Sequence, residues 1–355
     1  MKIKIYKYVL YIGTVTAMIL LGLQPVQALE VKFSGQINRA VMWADNGNDS
    51  ELFHVDNDNS STRFRIIGSE QVNDSVKIGL IWESEFQSNA SNNVDIGQES
   101  DGSADFKERK MEVYFGVPFG KITIGQGDGA ANGTSEMDLS GTNVIMYSGV
   151  NNTAGSIQFR DSDDTPITPI DDTRSNFDGL SSNDRLRYDT PKFEGIGLSV
   201  SSTNGGAYEL AARYSSELNG FGKIAAAIGY VDTADRTDPE YTQVGGSLSW
   251  LHASGINLTV AYGTRDIDEA DTDPVNYYGK LGYKFDIHVI AVEYGLTEDL
   301  AQDKDESSNY GLAYVIKPWK GVEFYGTYRS YKLDRDGVSD IEDISQVMVG
   351  TRLKF

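Results

Sequence analysis

Three short patterns in the 355-residue chain carry charge at a spacing that could do chemistry. Arg63 and Arg65, Arg185 and Arg187, and Glu136 and Asp138 each stand two residues apart. In extended chain that spacing puts both side chains on one face. Arginines facing carboxylates across water would set a transverse field that aligns polar solutes. None of these groups is a nucleophile beside a base. The three histidines, His54, His252 and His288, are far apart: His54 lies among acids, and the other two lie at strand ends. They cannot readily assemble an Asp/His or Ser/His set, so catalysis is not expected. There is no cysteine, which excludes thiol chemistry, disulfide scaffolds and Cys-rich zinc sites.

The charge balance narrows the partners. Lys plus Arg number 31 and Asp plus Glu 52, a formal charge of −21. An acidic chain is a poor binder of nucleic-acid phosphates. Residues 1–28 read as a secretory signal peptide: Lys2, Lys4 and Lys7 precede an uncharged apolar stretch, and Val26-Gln27-Ala28 offers small residues for cleavage. The expected mature domain is 29–355, exported and then either soluble or inserted as a barrel.

The elements that must position the charges are strands. Apolar and polar residues alternate along most of the chain, as in Val76, Ile78, Leu80 and Trp82 against Lys77, Gly79 and Glu83. The pattern predicts sixteen strands: 31–43, 61–70, 76–86, 108–117, 120–126, 183–190, 196–203, 207–216, 223–232, 240–251, 256–265, 276–285, 287–297, 308–317, 321–332 and 344–355. Short turns alternate with long acidic connections, 44–60, 87–107, 127–182, 266–275, 298–307 and 333–343; the exception is a short link near Asn204 to Gly206. No heptads, repeats or linkers divide the chain. Sixteen amphipathic strands are many for one soluble sandwich, whereas a closed antiparallel transmembrane β-barrel satisfies every edge and leaves the apolar parity to lipid. Aromatics such as Trp43, Trp82, Trp250 and Trp319 fall at strand ends, as in an interfacial girdle. The chain stops at Phe355 on the apolar parity of its last strand, which reads as an insertion signal for the barrel-assembly machinery.

Three stretches resemble the general diffusion porins of Gram-negative bacteria. They are Val31-Lys32-Phe33-Ser34-Gly35-Gln36-Ile37-Asn38-Arg39-Ala40-Val41-Met42-Trp43, Ser61-Thr62-Arg63-Phe64-Arg65-Ile66-Ile67-Gly68, and Asn183-Asp184-Arg185-Leu186-Arg187-Tyr188-Asp189-Thr190-Pro191. The resemblance implies an all-β, 16-stranded outer-membrane barrel, a homotrimer, and a water-filled channel for ions and small hydrophilic solutes. It also implies that the long connection 127–182 folds inward as the third loop. On that basis Glu136 and Asp138 are expected on the acidic side of a constriction, and Arg63, Arg65, Arg185 and Arg187 on the basic side.

The chain departs from the family at two points. Gln126 stands next to the constriction where many such porins carry arginine, and a Pro-Glu-Phe-Gly type motif is missing. One cation fewer and the acidic balance point to cation preference. A substrate-selective channel would instead need an aromatic track, for which Tyr325 and Tyr331 have inward parity; a surface or adhesin barrel is the other alternative. No cofactor and no metal site are expected at the constriction. The acidic loops (Asp45, Asp49, Glu51, Asp56 and Asp58; Asp161, Asp163, Asp164, Asp171 and Asp172; Glu298, Asp299, Asp303, Asp305 and Glu306) offer oxygen ligands for Ca2+ or Mg2+ that could bridge lipopolysaccharide phosphates, although none has EF-hand spacing. Arg39 falls on the apolar parity; a bulge, a subunit contact or snorkelling would each accommodate it.

Overall fold

The structure, a computed structural model, describes residues 29–98, 104–268, 270 and 272–355. The expected leader, 1–28, lies outside the described residues. Seventeen strands form one sheet: β1 (Glu30–Asp45), β2 (Ser50–Asp56), β3 (Arg63–Asn73), β4 (Val76–Ser88), β5 (Ala104–Val117), β6 (Gly120–Asp128), β9 (Ser182–Asp189), β10 (Ile196–Thr203), β11 (Tyr208–Leu218), β12 (Gly222–Asp232), β13 (Tyr241–Leu251), β14 (Ile256–Ile267), β15 (Val275–Phe285), β16 (His288–Glu298), β17 (Glu306–Trp319), β18 (Val322–Asp334) and β19 (Ile344–Lys354). Two short strands, β7 (Gln158–Arg160) and β8 (Pro166–Pro169), pair separately.

Each wall strand pairs antiparallel with its neighbours in the chain, and the ring closes where β1 meets β19, with Ile37 opposite Leu353 and Val41 opposite Val349. Gly35 and Phe355 exchange both backbone hydrogen bonds at 3.0 Å, so the final residue is paired into the wall. Both β2 and β3 lie along the same edge of β1 and together make one wall strand, giving a closed sixteen-stranded barrel. The alternation does not reveal β2, which falls inside the expected connection 44–60. Six polar residues, 57–62, break this wall strand. Asn57 caps the single turn Asp58–Ser60 by accepting from the Asn59 N–H at 3.1 Å. Gln36 and Asn38 donate to the Ser60 carbonyl at 2.9 and 2.8 Å, so a carbonyl freed by the break is not left bare.

Exposure follows the strand period. Ile37, Val41 and Val349 face outward while Gln36, Asn38, Ala40 and Met42 are buried. An apolar outer parity repeated around a closed sheet is the pattern of a wall solvated by lipid. Large aromatics mark the short-turn end: Phe119, Phe193, Phe221 and Trp319 are all exposed.

The inner parity is not uniformly polar. Met42, Phe53, Val55, Tyr325, Tyr331, Ile344 and Met348 from the wall are buried with Val144, Ile145, Met146, Val150, Ile157, Phe159 and Ile170 from the connection between β6 and β9. Burying each of these larger side chains contributes about 1.5–3 kcal/mol, so this connection is held by an apolar core of its own.

The outer parity should tolerate no charge. Val349→Lys, at the β1–β19 seam, is expected to destabilise the lipid-inserted barrel by about 2–4 kcal/mol if the site is near the bilayer midplane. Urea unfolding in vesicles checks this; an unchanged midpoint would show that the seam does not face lipid.

Candidate functional site

The 53 residues between β6 and β9, 129–181, carry the candidate carboxylates, and glycine lets them leave and approach the wall. Gly125, near the end of β6, has φ 121°, and a Cβ there would stand 2.3 Å from the Met111 carbonyl. Gly245 of β13 leaves room for the returning chain: a Cβ would meet the Phe177 carbonyl at 2.1 Å.

The segment is bonded to side chains of the buried parity on many strands. The backbone N–H groups of Met137 and Leu139 donate to Ser247 Oγ and Ser249 Oγ on β13 at 2.8 and 2.9 Å. Asn57 and Asn59 donate to the carbonyls of Val144 and Asn143 at 2.9 and 3.0 Å. Tyr331 on β18 donates to the Val150 carbonyl at 2.8 Å, and Arg329 to Thr153 Oγ1 at 2.8 Å. Arg329 is fully buried and pairs with equally buried Glu293 of β16 at 2.6 Å.

The two candidate carboxylates have different surroundings. Asp138 is ion-paired with Lys280 of β15, and both side chains are almost wholly buried. Lys280 Nζ also donates to Thr142 Oγ1 and the Met146 carbonyl at 3.1 Å. Asp138 is therefore a ligand of the wall, holding the segment down. Glu136 is half-buried and accepts one hydrogen bond, from Asn176 Nδ2 at 3.1 Å. It has no ion pair among those found in the described residues. Burial first, then repulsion from Asp178, pushes its carboxyl up to about 8. Asp178 is also pushed up, by burial, although the N–H groups of Gly133 and Ser135 donate to it.

The arginines divide in the same way. Arg63 and Arg65 stand on the inner face of β3, partly exposed, beside Glu83 of β4; the Arg63–Glu83 contact is 3.8 Å. A third cation joins them. Arg109 reaches Glu83 at 3.0 Å and Glu85 at 2.6 Å, so three guanidiniums share two carboxylates. Strict alternation would send Arg109 outward. A register shift between β4 and β5 at this point, with Glu83 opposite Lys110 and Ser84 opposite Glu108, leaves Arg109 as the extra residue and re-aims it. No period-two reading signals such a bulge. Lys110 pairs with Asp128.

Arg185 and Arg187 stand on the inner face of β9 and bind the root of the segment. Arg185 is buried against Glu112 and donates to the carbonyls of Gly125 and Asp128 at 2.7 and 2.8 Å. Arg187 holds Asp189 at 2.7 Å and the Gly129 carbonyl at 2.7 Å. Arg213 of β11, which the sequence reading passed over, donates to the carbonyls of Ala130 and Asn132 at 2.8 and 2.7 Å. Gln126 shares the parity of Ile122 and Ile124 and lies opposite Asp184, so it faces away from this inner charge row.

Arg39 faces outward between Ile37 and Val41. It donates to the Ser88 carbonyl at 3.0 Å and stands 3.7 Å from Asp56. The histidines stay apart: His54 is on β2, while His252 and His288 lie at turns of the opposite end. Among the described residues, no group of three or more His, Asp or Glu side chains is placed to hold a metal ion.

Comparison with known proteins agrees with this architecture. A model of the Gram-negative porin family matches residues 15–336. Outer membrane protein U of Vibrio parahaemolyticus is 25% identical over 199 residues; the match spans 56% of this chain and 55% of that relative, about half the length of each. Among solved structures, the anion-selective porin from Comamonas acidovorans superposes with a TM-score of 0.67 at 16% identity, covering 92% of this chain and all of the other. OmpT of Vibrio cholerae superposes with a TM-score of 0.60 at 14% identity, covering 94% and 99%. At such identities the structural likeness speaks for the fold, while the family match reaches across most of the chain: it belongs to the Gram-negative porins, as a channel-type barrel of the bacterial outer membrane.

Proposed function

We propose that the chain forms a water-filled channel for passive diffusion of ions and small hydrophilic solutes, and that the 129–181 segment narrows it from within. The observation that carries this is the bonding of that segment to inner-parity side chains on β13, β15 and β18. A sixteen-stranded barrel is wide enough to leave an aqueous lumen beside such a segment. Arg63, Arg65 and Arg109 form the basic side of the constriction and Glu136 the acidic side. Asp138, Arg185 and Arg187 hold these groups in place, and polar solutes align in the field between them.

The channel prefers cations. Its basic wall is largely neutralised by Glu83 and Glu85, so the sign comes from the acidic long loops in a chain of net charge −21, and Glu136 adds to it once ionised. Reversal potentials across a potassium chloride gradient test it, and a value favouring chloride overturns the preference. Mouth charges act over the Debye length, about 10 Å at 0.1 M salt and 3 Å at 1 M, so the preference should weaken as salt rises. Glu136 is protonated below about 8. Cation preference should therefore step up as pH rises through that value, and Glu136→Gln should abolish the step. A step of equal size in the variant would assign it to another group.

The barrel assembles with further copies of itself, as a homotrimer, through the outer face of β1–β5. Arg39, although it reaches Asp56 at 3.7 Å, keeps much of its side chain exposed between apolar neighbours there, where lipid offers no further partner. Beside it lies an aromatic patch in which Phe64 and Phe86 pack tilted at a ring distance of 5.6 Å and Phe86 meets Phe106 edge-on at 4.6 Å. The chain has no cysteine, so introduced thiols report cleanly. Ser88→Cys should give inter-chain products with a flexible bismaleimide, and Leu258→Cys, on β14, should not. Absence of such products from Ser88→Cys, or equal yields from both, would place the interface elsewhere or remove it.

A further inference from the structure

A cavity of about 760 Å3 opens among the long-loop ends of β14, β16 and β18, against the distal part of the 129–181 segment. That volume is within the range of small-molecule sites. Its lining carries Asp171 and Asp172. Asp171 accepts from Asn151 Nδ2 at 2.8 Å and Asp172 from Thr168 Oγ1 at 3.3 Å; neither has a cationic partner among the ion pairs of the described residues.

The same lining carries Arg265 and Arg174, equally without a carboxylate partner among those ion pairs. Arg265, near the end of β14, lies over the rings of Tyr241 and Phe177 at 4.2 and 5.3 Å and donates to Gln243 Oε1. Arg174 is 2% exposed. It donates to the Ser307 carbonyl and to Asn309 Oδ1, which leaves its Nε buried with no acceptor. Asn92, also lining the cavity, has its buried Oδ1 without a donor.

Uncompensated acids and uncompensated arginines in one cavity select against simple ions, because either sign meets a repelling group. An uncharged solute would use neither set. Unpartnered buried donors and acceptors are unfavourable, so a ligand that satisfies them is favoured. The geometry points to a binding site for short zwitterionic solutes, peptides of two or three residues, with the ammonium on Asp171 and Asp172, the carboxylate on Arg265 and Arg174, and a peptide N–H on Asn92. Two or three extended residues reach about 7–10 Å, a length that a cavity of about 760 Å3 accommodates. This deepens the channel reading by naming a solute class held at the outer vestibule before passage.

Calorimetric titration of the detergent-solubilised full-length protein with glycylglycine tests the site independently of conduction. Saturable binding is expected, with N-acetylglycinamide, which lacks both charges, failing to compete. Asp171→Asn combined with Asp172→Asn, and separately Arg265→Gln, should each weaken glycylglycine by about tenfold or more, the size of a lost charge-assisted contact. Heat-modifiable mobility on gels confirms that each variant still forms the barrel; a variant that does not is replaced by Asn92→Ala, for which weaker binding is again expected. No binding, binding shared equally with the neutral analogue, or variants that bind as the parent does would overturn the site. Planar-bilayer recording separates the two readings: binding without any conductance would sink the channel while leaving the site, and conductance without binding would do the reverse.

Discussion

Closure of the sheet between β1 and β19 is the constraint on which the rest of the molecule depends. In hydrocarbon no water satisfies an open strand edge, and each bare N–H or C=O would be unfavourable by several kcal/mol. Once Ile37 pairs with Leu353 and Phe355 with Gly35, no edge is left in the ring. Side-chain parity then acquires a fixed meaning, since alternate residues meet lipid and the others meet the lumen. That is why an acidic, polar-rich composition is compatible with a membrane protein: only half of each strand has to be apolar.

Inside the ring the ionised groups do two different jobs, and burial separates them. Lys280 with Asp138 and Arg329 with Glu293 are almost fully enclosed. Such pairs give little net stability, but removing one partner strands a buried charge at about 3–5 kcal/mol. They therefore fix where the 129–181 segment lies more than they strengthen the fold. Arg63, Arg65 and Arg109 keep a share of their surface exposed, so their charge remains available to whatever passes. The apolar cluster around Met146, Phe159 and Tyr331 supplies the cohesion that the ion pairs do not.

The wall was largely legible in the sequence because its signal, period-two alternation, is the physical requirement of a lipid-facing strand. The expected segments and the observed strands agree closely around the barrel. What stayed hidden lies where a second influence outweighs that period. Ser50–Asp56 reads as acidic loop because Glu51, His54 and Asp56 interrupt both faces, although pairing with β1 decides the matter. Arg109 turns inward through a bulge, which carries no compositional mark. The resemblance sets Gln126 next to the constriction, whereas parity with Ile124 governs where it points. The inner apolar core went unseen because its residues belong to a connection with no regular period.

The same division explains how one architecture serves opposite selectivities. A closed wall needs only parity and pairing, so it can be kept at very low sequence identity. The charges that meet a solute sit on a few inner positions and on loops that carry no burden of closure. In this chain the arginines of β3, β5 and β9 are matched almost one for one by Glu83, Glu85, Glu112 and Asp189. A neutralised wall narrows and orients without choosing a sign strongly. In the channel proposed above, the choice passes to Glu136 and to acids at the mouth, where water and salt weaken every interaction. Selectivity set in that way is graded and adjustable by conditions. Selectivity set by an unpaired charge buried in the wall would be sharp, and it would strain the segment that carries it.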